Sequence, residues 1–312
     1  MTGAAASGLD ADAGRPTVSL LGLGPMGEPM ARNLLAGNGS LIVWNRTAAK
    51  AQSLAALGAV VAATPREAAA EVTLTVLPDL RQVRELLSGH DGLLAGWAER
   101  GIEHPVLVVH GTVSPVAVAD FAAELRSQHG VVVLDAPLSG GTVGAADGTL
   151  SIMIGGDKDA IQAVMPLFLH MGRTVRVLGE SGAGQLAKAC NQIVVAGVVS
   201  AVCEAMLLAR RSGLDLAVLR ELLQGGLAAT AVLAQKGDKI IDEDFAEGGS
   251  ATNQLKDLRF IDEAAGARAL TLPVTTTVTR LFEQMIGDGD GALDHTGVYR
   301  TIERRAAEGS LS

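Results

Sequence analysis

The first half of the chain alternates two textures. Short runs that are apolar at nearly every position are separated by alanine-rich stretches with helical spacing. The apolar runs are TVSLLGLG (17–24), LIVWNRT (41–47), VVAAT (60–64), VTLTVLP (72–78), VLVVHGT (106–112) and VVVLDAP (131–137). A strand with one wet face alternates apolar and polar residues, whereas one buried on both faces does not. Uninterrupted apolar runs separated by helices therefore predict a mainly parallel, doubly wound sheet covered on both sides, an α/β fold. The segments PMGEPMARNLLAGNG (25–39) and AKAQSLAALGA (49–59) read as the first two helices, and TLSIMIGG (149–156) and TVRVLG (174–179) as the last strands.

Beyond Gly182 the strand texture disappears. Helical patterns cover about 182–212, 215–225, 228–243, 252–266 and 273–286, and GESG (179–182) marks the change. The expected organisation is a flexible tail over 1–16, a dinucleotide-binding domain over 17–180, and an all-helical domain over 181–312 opened by a long interdomain helix. The tail is small, acidic and glycine-rich, without the basic and apolar regions of a signal peptide, so the cytoplasm is the expected location. The run IVVAGVVSAVC (193–203) is shorter than the roughly 20 residues that span a bilayer, which favours a buried helix.

Composition adds a few limits. The 312 residues carry a formal net charge of −9 and no basic block, so neither nucleic acid nor membrane is an expected partner. Aromatic residues are only 3%, so the core must be packed largely from Ala, Val and Leu. Cys190 and Cys203 lie in one apolar run and read as buried free thiols. The six histidines have no ligand spacing, and no metal is expected.

GLGPMG places Gly22, Gly24 and Gly27 directly after the first strand and at the start of the first helix. This is the GxGxxG turn of the Rossmann fold. The first glycine permits the tight turn, the second lets a pyrophosphate reach the backbone, and the third lets helix and strand pack closely. Leu23, Pro25 and Met26 complete the turn, and the pyrophosphate is expected against the helix N-terminus. At the end of the second strand, where a carboxylate would bind the ribose hydroxyls of NAD, stand Asn45, Arg46 and Thr47. A guanidinium there suits a 2′-phosphate, so NADP is expected, with NAD as the alternative. The loops VLPD (76–79), HGTVSP (110–115) and DAPLSGG (135–141) should rim the same crevice.

In GAGQLAKACNQIVVAG (182–197), Lys188 sits at the head of a run that has no other charge from Ala189 to Cys203. A buried ammonium is costly, so this lysine needs a partner, a route to water, or a task. On a helix, Asn191 and Gln192 share its face.

Together GLGPMGEPMARNL, DAPLSGGTVGAADGTLSIMIGG, GAGQLAKACNQ and LKDL, in this order, resemble the β-hydroxyacid dehydrogenases. That family includes 3-hydroxyisobutyrate dehydrogenase and tartronate semialdehyde reductase and is related to 6-phosphogluconate dehydrogenase. The resemblance, which runs from about residue 17 to 305, implies an active site between the two domains and a homodimer or homotetramer. It implies that Lys188 is the catalytic acid and base. It further implies that Ser139, Gly140 and Gly141 hold a substrate carboxylate, with Asn191 and Gln192 placing substrate or lysine. Leu77, Pro78 and Thr112 would contact cofactor, and Lys256 of LKDL would close on it with Asp257 beside it.

The sequence departs from the family pattern at Val109, His110 and Gly111, where an acidic residue and a serine usually stand at the outer two positions. His110 reads either as a solvent-facing loop residue or as one that borders nicotinamide or substrate. The expected activity is NADP(H)-dependent interconversion of a small β-hydroxyacid and its semialdehyde. The alternatives are reduction of an imine or ketone, as in a related family that usually replaces this lysine, and a non-catalytic NADP-binding protein.

Overall fold

The computed structural model describes residues 16–246 and 248–308, so residues 1–15 of the expected tail lie outside the described part. The first lobe runs β1 (Val18–Leu21), α1 (Gly27–Asn38), β2 (Ile42–Trp44), α2 (Gln52–Ala55), β3 (Val60–Val61), β4 (Val72–Thr75), α3 (Leu80–Leu87) and α4 (Leu93–Glu99). It continues with β5 (Val106–Val109), α5 (Pro115–His129), β6 (Val132–Asp135), β7 (Leu138–Ser139), α6 (Gly141–Ala146), β8 (Leu150–Gly155), α7 (Lys158–Met171) and β9 (Gly172–Gly179). The second lobe is helical: α8 (Ala183–Arg211), α9 (Leu216–Gln224), α10 (Ala231–Ile241), α11 (Ala251–Gly266), α12 (Pro273–Gly287) and α13 (Val298–Glu308).

The sheet order is β3-β2-β1-β4-β5-β6-β8-β7, with β9 also paired to β8. Strands β1 to β6 pair in parallel, while β8 runs antiparallel to β6 and β7 and parallel to β9. The doubly wound expectation therefore holds for the first six strands, and the sheet edge is mixed. The uninterrupted apolar runs have the predicted cause. Leu20, Leu74, Val108 and Leu134 face one buried cluster with Leu34 of α1 and Phe168 of α7. Their neighbours Leu21, Leu107, Val109 and Val133 face another with Trp97 of α4 and Phe121 of α5.

Some elements differ from the sequence pattern. The helix expected over 49–59 is a 3-10 turn at Ala48–Ala51 followed by the single turn of α2. Gly58, with φ +99°, turns the chain out of helix before β3. The sequence pattern does not announce helix α13: its buried apolar positions Val298, Tyr299 and Ile302 are few and sit among charged residues. The C-terminal lobe has its own core around Val199, Cys203, Met206, Phe245, Leu258, Phe282 and Tyr299.

Helix α8 joins the lobes. At 29 residues it is long and apolar enough to cross a membrane by length and composition alone. Instead, its first turns pack on the sheet, and the rest, with Val199, Cys203 and Met206 buried, forms the spine of the helical core. Cys203 is buried as expected, but Cys190 is exposed, because it lies on the opposite face of α8 from the buried Lys188, Ala189 and Gln192.

Candidate active site between the lobes

The glycine turn has the shape its sequence predicts. Gly22 adopts φ +103°, and a Cβ there would lie 2.5 Å from the carbonyl oxygen of Val76. A Cβ on Gly27 would overlap the Gly22 carbonyl, which is the close helix–strand contact that position requires. Gly24 faces open space, so a pyrophosphate can approach the backbone and fit the cradle. The Leu23 amide donates to Oδ1 of Asn45 at 2.8 Å, which ties the turn to the end of β2. The Asn45 Nδ2 donates to the Thr47 carbonyl at 3.0 Å. Arg46 is exposed. It makes no ion pair or hydrogen bond within the described residues, so its guanidinium is free.

A cavity of about 600 Å3 opens between the lobes. Gly24, Pro25, Met26 and Gly27 of the turn line it, with Leu77, Pro78, His110 and Thr112 from the strand ends. Ser139 at the end of β7 and Gly140 and Gly141 at the start of α6 enter beside them, and Lys188, Gln192, Lys256 and Asp257 from the helical lobe. Gly22, Leu23, Asn45, Arg46, Thr47 and Asn191 lie off its wall. A second recess of about 490 Å3 is lined by Arg66, His90, Glu99 and Arg100 among others. Its charges answer one another, as in the Arg66–Glu99 pair at 2.9 Å.

Two residues that sequence reasoning passed over set the position of α8. Asp135, at the end of β6, is buried and accepts from the amides of Gly182 and Gln185, both at 2.8 Å. These are orphan donors of a helix start, so the carboxylate caps α8 from the other lobe. A Cβ on Gly184 would overlap the Met153 carbonyl, so the glycines at this helix start make room for the sheet. The buried Gln185 accepts from the Val113 amide at 3.0 Å through Oε1 and donates to the Gly111 carbonyl at 2.8 Å through Nε2. It clamps the loop after β5. A side chain at Gly111 would overlap the Leu77 carbonyl, which explains glycine at that departure from the family pattern.

Lys188 is 8% exposed, one turn beyond Gln185. Its Nζ is 3.4 Å from Oδ1 of Asn191. Gln192 donates to Oδ2 of Asp257 at 2.7 Å, so a buried carboxylate from α11 stands beside the lysine. Burial pushes the Lys188 ammonium down to about 8, while the Asp257 carboxylate pulls it up and the Lys256 ammonium pushes it further down. Burial likewise raises Asp257, against the pull of Lys256 and Lys188. Lys256 reaches across the cleft and donates to the carbonyls of Pro78 at 2.6 Å and Thr112 at 2.8 Å. That contact joins the lobes along the cavity wall.

His110 is buried rather than solvent-facing. Its Nδ1 is 2.7 Å from the Ala136 carbonyl, and its ring meets Phe168 edge-on at 6.0 Å. Burial pushes it down to about 4, so it is neutral at physiological pH. The glycine cradle, crevice loops and cleft lysine together define a pyridine-nucleotide-dependent oxidoreductase.

Comparison with known proteins gives the family. Residues 17–179 match the NAD binding domain of 6-phosphogluconate dehydrogenase. Residues 182–302 match the family described as NAD-binding of NADP-dependent 3-hydroxyisobutyrate dehydrogenase. The chain is 36% identical to 2-hydroxy-3-oxopropionate reductase of Escherichia coli K12, over 93% of this chain and 98% of that one. It is 35% identical to NAD-dependent L-serine dehydrogenase of Pseudomonas aeruginosa, over 92% and 97% of the two chains. A crystal structure of 3-hydroxyisobutyrate dehydrogenase from Salmonella typhimurium superposes with a TM-score of 0.82 at 27% identity, covering 91% and 99%. The chain belongs to the β-hydroxyacid dehydrogenase family, NAD(P)-dependent enzymes that act on the hydroxyl of small hydroxyacids.

Proposed function

We propose that this protein uses NADP(H) to interconvert a small β-hydroxyacid and its semialdehyde, of the 3-hydroxyisobutyrate or tartronate semialdehyde type, with Lys188 as general acid and base. The observation that carries this reading is a buried lysine held near pH 8 beside Asp257, Asn191 and Gln192, in the cavity bordered by the glycine turn. The names borne by the Escherichia coli and Salmonella relatives point to the same chemistry. In the division of labour proposed, residues 17–180 bind cofactor and residues 181–312 supply the proton-transfer group and much of the substrate wall.

The nicotinamide, when bound, accepts or supplies the hydride. The protein's part is proton transfer and placement. In oxidation, neutral Lys188 takes the hydroxyl proton as the C–O bond gains carbonyl character. In reduction, the ammonium returns that proton to the forming alkoxide. Ser139 and the turn at Gly140 and Gly141 offer a hydroxyl and backbone amides suited to a carboxylate. Gly140 (φ +132°) and Gly141 (φ +64°) take backbone shapes that a side chain disfavours. The free guanidinium of Arg46 favours the 2′-phosphate of NADP.

A homo-oligomer is part of the proposal. Helix α9 has no buried residue although Val218 and Leu222 are 53% and 69% exposed, and Leu208 of α8 is 71% exposed. Such a surface suits a second copy. Sedimentation at micromolar concentration should give a dimer or larger; a monomer contradicts this part.

The function is tested by mixing purified protein with NADPH and short semialdehydes. Turnover of at least one, with Lys188→Met inactive but still binding NADPH, is the expected result. NADPH binding without turnover of any of them overturns the enzyme reading.

A further inference from the structure

In the proposed reaction the hydride and the proton belong to different lobes. Residues 17–180 hold the nicotinamide, while Lys188 stands on α8 of the helical lobe. Both groups must meet one C–O bond at the same moment, so turnover depends on how α8 is registered against the sheet.

Asp135 ties the two together. It is the last residue of β6, paired with Val109 of β5 and with Gly155 of β8, so its backbone is locked in the sheet. Its Oδ1 accepts from the Gly182 amide and its Oδ2 from the Gln185 amide, both at 2.8 Å. Helices α5, α10 and α11 are capped by the local hydroxyls of Ser114, Thr230 and Ser250. Helix α8 has no side-chain cap at Gly182, and its cap comes from 47 residues away in the other lobe.

A hydroxyl would satisfy one amide at lower cost. The Asp135 carboxylate is buried, no cation pairs with it among the described residues, and burial pushes it above its usual range against the pull of the amides. The second oxygen adds geometry. One anchor leaves a helix free to turn about its axis, whereas anchors at both Gly182 and Gln185 do not. The side chain of Gln185 grips the loop after β5 from the same turn. The socket is close-fitting: a Cβ on Gly155 would lie 2.7 Å from Oδ1, and one on Gly184 2.8 Å from Oδ2.

Lys188 follows Gln185 by three residues, about 4.5 Å along the axis. Side chains reach about 5–6 Å from a helix axis, so a turn of about 20° would swing the end of one by about 2 Å. A misplacement of about 1 Å can cost about 100-fold in rate.

We infer that Asp135 is a positioning residue for proton transfer, whose two-point hold on the start of α8 places Lys188 against the nicotinamide held by the other lobe. This rests on the dehydrogenase reading with Lys188 as the proton-transfer group.

The test is a double-mutant cycle on kcat for reduction of short semialdehydes by NADPH. Asp135→Asn keeps the size of the side chain, but its NH2 group cannot accept the second amide. It should lower kcat about 10- to 100-fold, with KM for NADPH moving less than twofold. In Lys188→Met no amine is left to place, so adding Asp135→Asn should lower the residual rate less than threefold. Gly155→Ala keeps the carboxylate but crowds it and the Gly184 amide, and should reproduce the pattern. Equal losses from Asp135→Asn with and without Lys188 overturn the assignment. So does a kcat within threefold of wild type, or a loss confined to cofactor KM. Failure of both Asp135→Asn and Gly155→Ala to fold overturns it too, because the tie would then serve stability alone. A Lys188→Met variant as fast as wild type overturns the reading of Lys188 as well. A wild type that binds NADPH and reduces none of the semialdehydes overturns the dehydrogenase reading itself.

Discussion

Gln192 of α8 donates to Oδ2 of Asp257 on α11 at 2.7 Å, and so fixes a buried carboxylate next to Lys188. The carboxylate is the one neighbour that raises the lysine's proton affinity, against burial and the Lys256 charge. Asp257→Asn keeps an acceptor for Gln192 and removes the charge. Lys188 should then titrate below about 8, moving the pH–rate profiles of both reaction directions to lower pH. Steady-state kinetics from pH 6 to 10 measure this, and an unmoved profile would show that Asp257 does not tune the lysine.

Cofactor choice depends on Arg46. A charge-assisted contact with phosphate is worth about 1.5–3 kcal/mol, or roughly 10- to 100-fold in affinity. Arg46→Asp should weaken NADPH by about that factor and leave NADH within a few-fold. Binding titrations with both nucleotides decide it; equal losses would contradict the assignment.

Gln185 should matter for stability and cofactor loop placement together. Gln185→Leu leaves the Val113 amide and the Gly111 carbonyl without their side-chain partner. A loss of about 1–3 kcal/mol is expected, with a raised cofactor KM because the loop carries Thr112. Chemical denaturation and nucleotide titration read the two effects, and a variant as stable as wild type would contradict the clamp.

His110 and His295 make stability sensitive to acid. Each is held near 4 when folded, against an ordinary value of 6.5. The unfolded chain therefore binds more protons between these limits. The stability each contributes is full above about 6.5 and falls as pH drops toward 4, by at most roughly 3 kcal/mol per histidine. Asp135 and Asp257, raised by burial, oppose this in part by taking up protons while folded. His110→Asn, whose Nδ2 can replace the donor to Ala136, should flatten the dependence of Tm on pH in that window. A slope equal to wild type would refute it.

Much of this was legible in the sequence because it is local. A run buried on both faces looks apolar throughout, and a glycine turn between strand and helix announces itself. A lysine in an apolar run asks for a reason to be there. What could not be read are contacts between distant segments. Asp135 lies within DAPLSGG, but its partners lie 47 and 50 residues on. Gln185 is, in sequence, one more helix residue; its role comes from the loop after β5, which the fold sets beside it. The antiparallel β8 carries the same apolar texture as a parallel strand, so its direction left no mark. The loop position of His110 leaves solvent or the crevice open; packing by Phe168 and the Ala136 carbonyl buries it, on the wall of the cavity.

The central claim is that Lys188 moves the proton. The most direct measurement is the pH dependence of kcat/KM in the oxidative and reductive directions, for wild type and Lys188→Met, with NADPH affinity measured alongside. The account predicts an oxidative limb that rises through about pH 8 and a reductive limb that falls through it. Lys188→Met should lose about 100- to 10,000-fold in rate, lose both limbs and keep NADPH affinity. A variant that retains the wild-type limbs, or most of the rate, would contradict it.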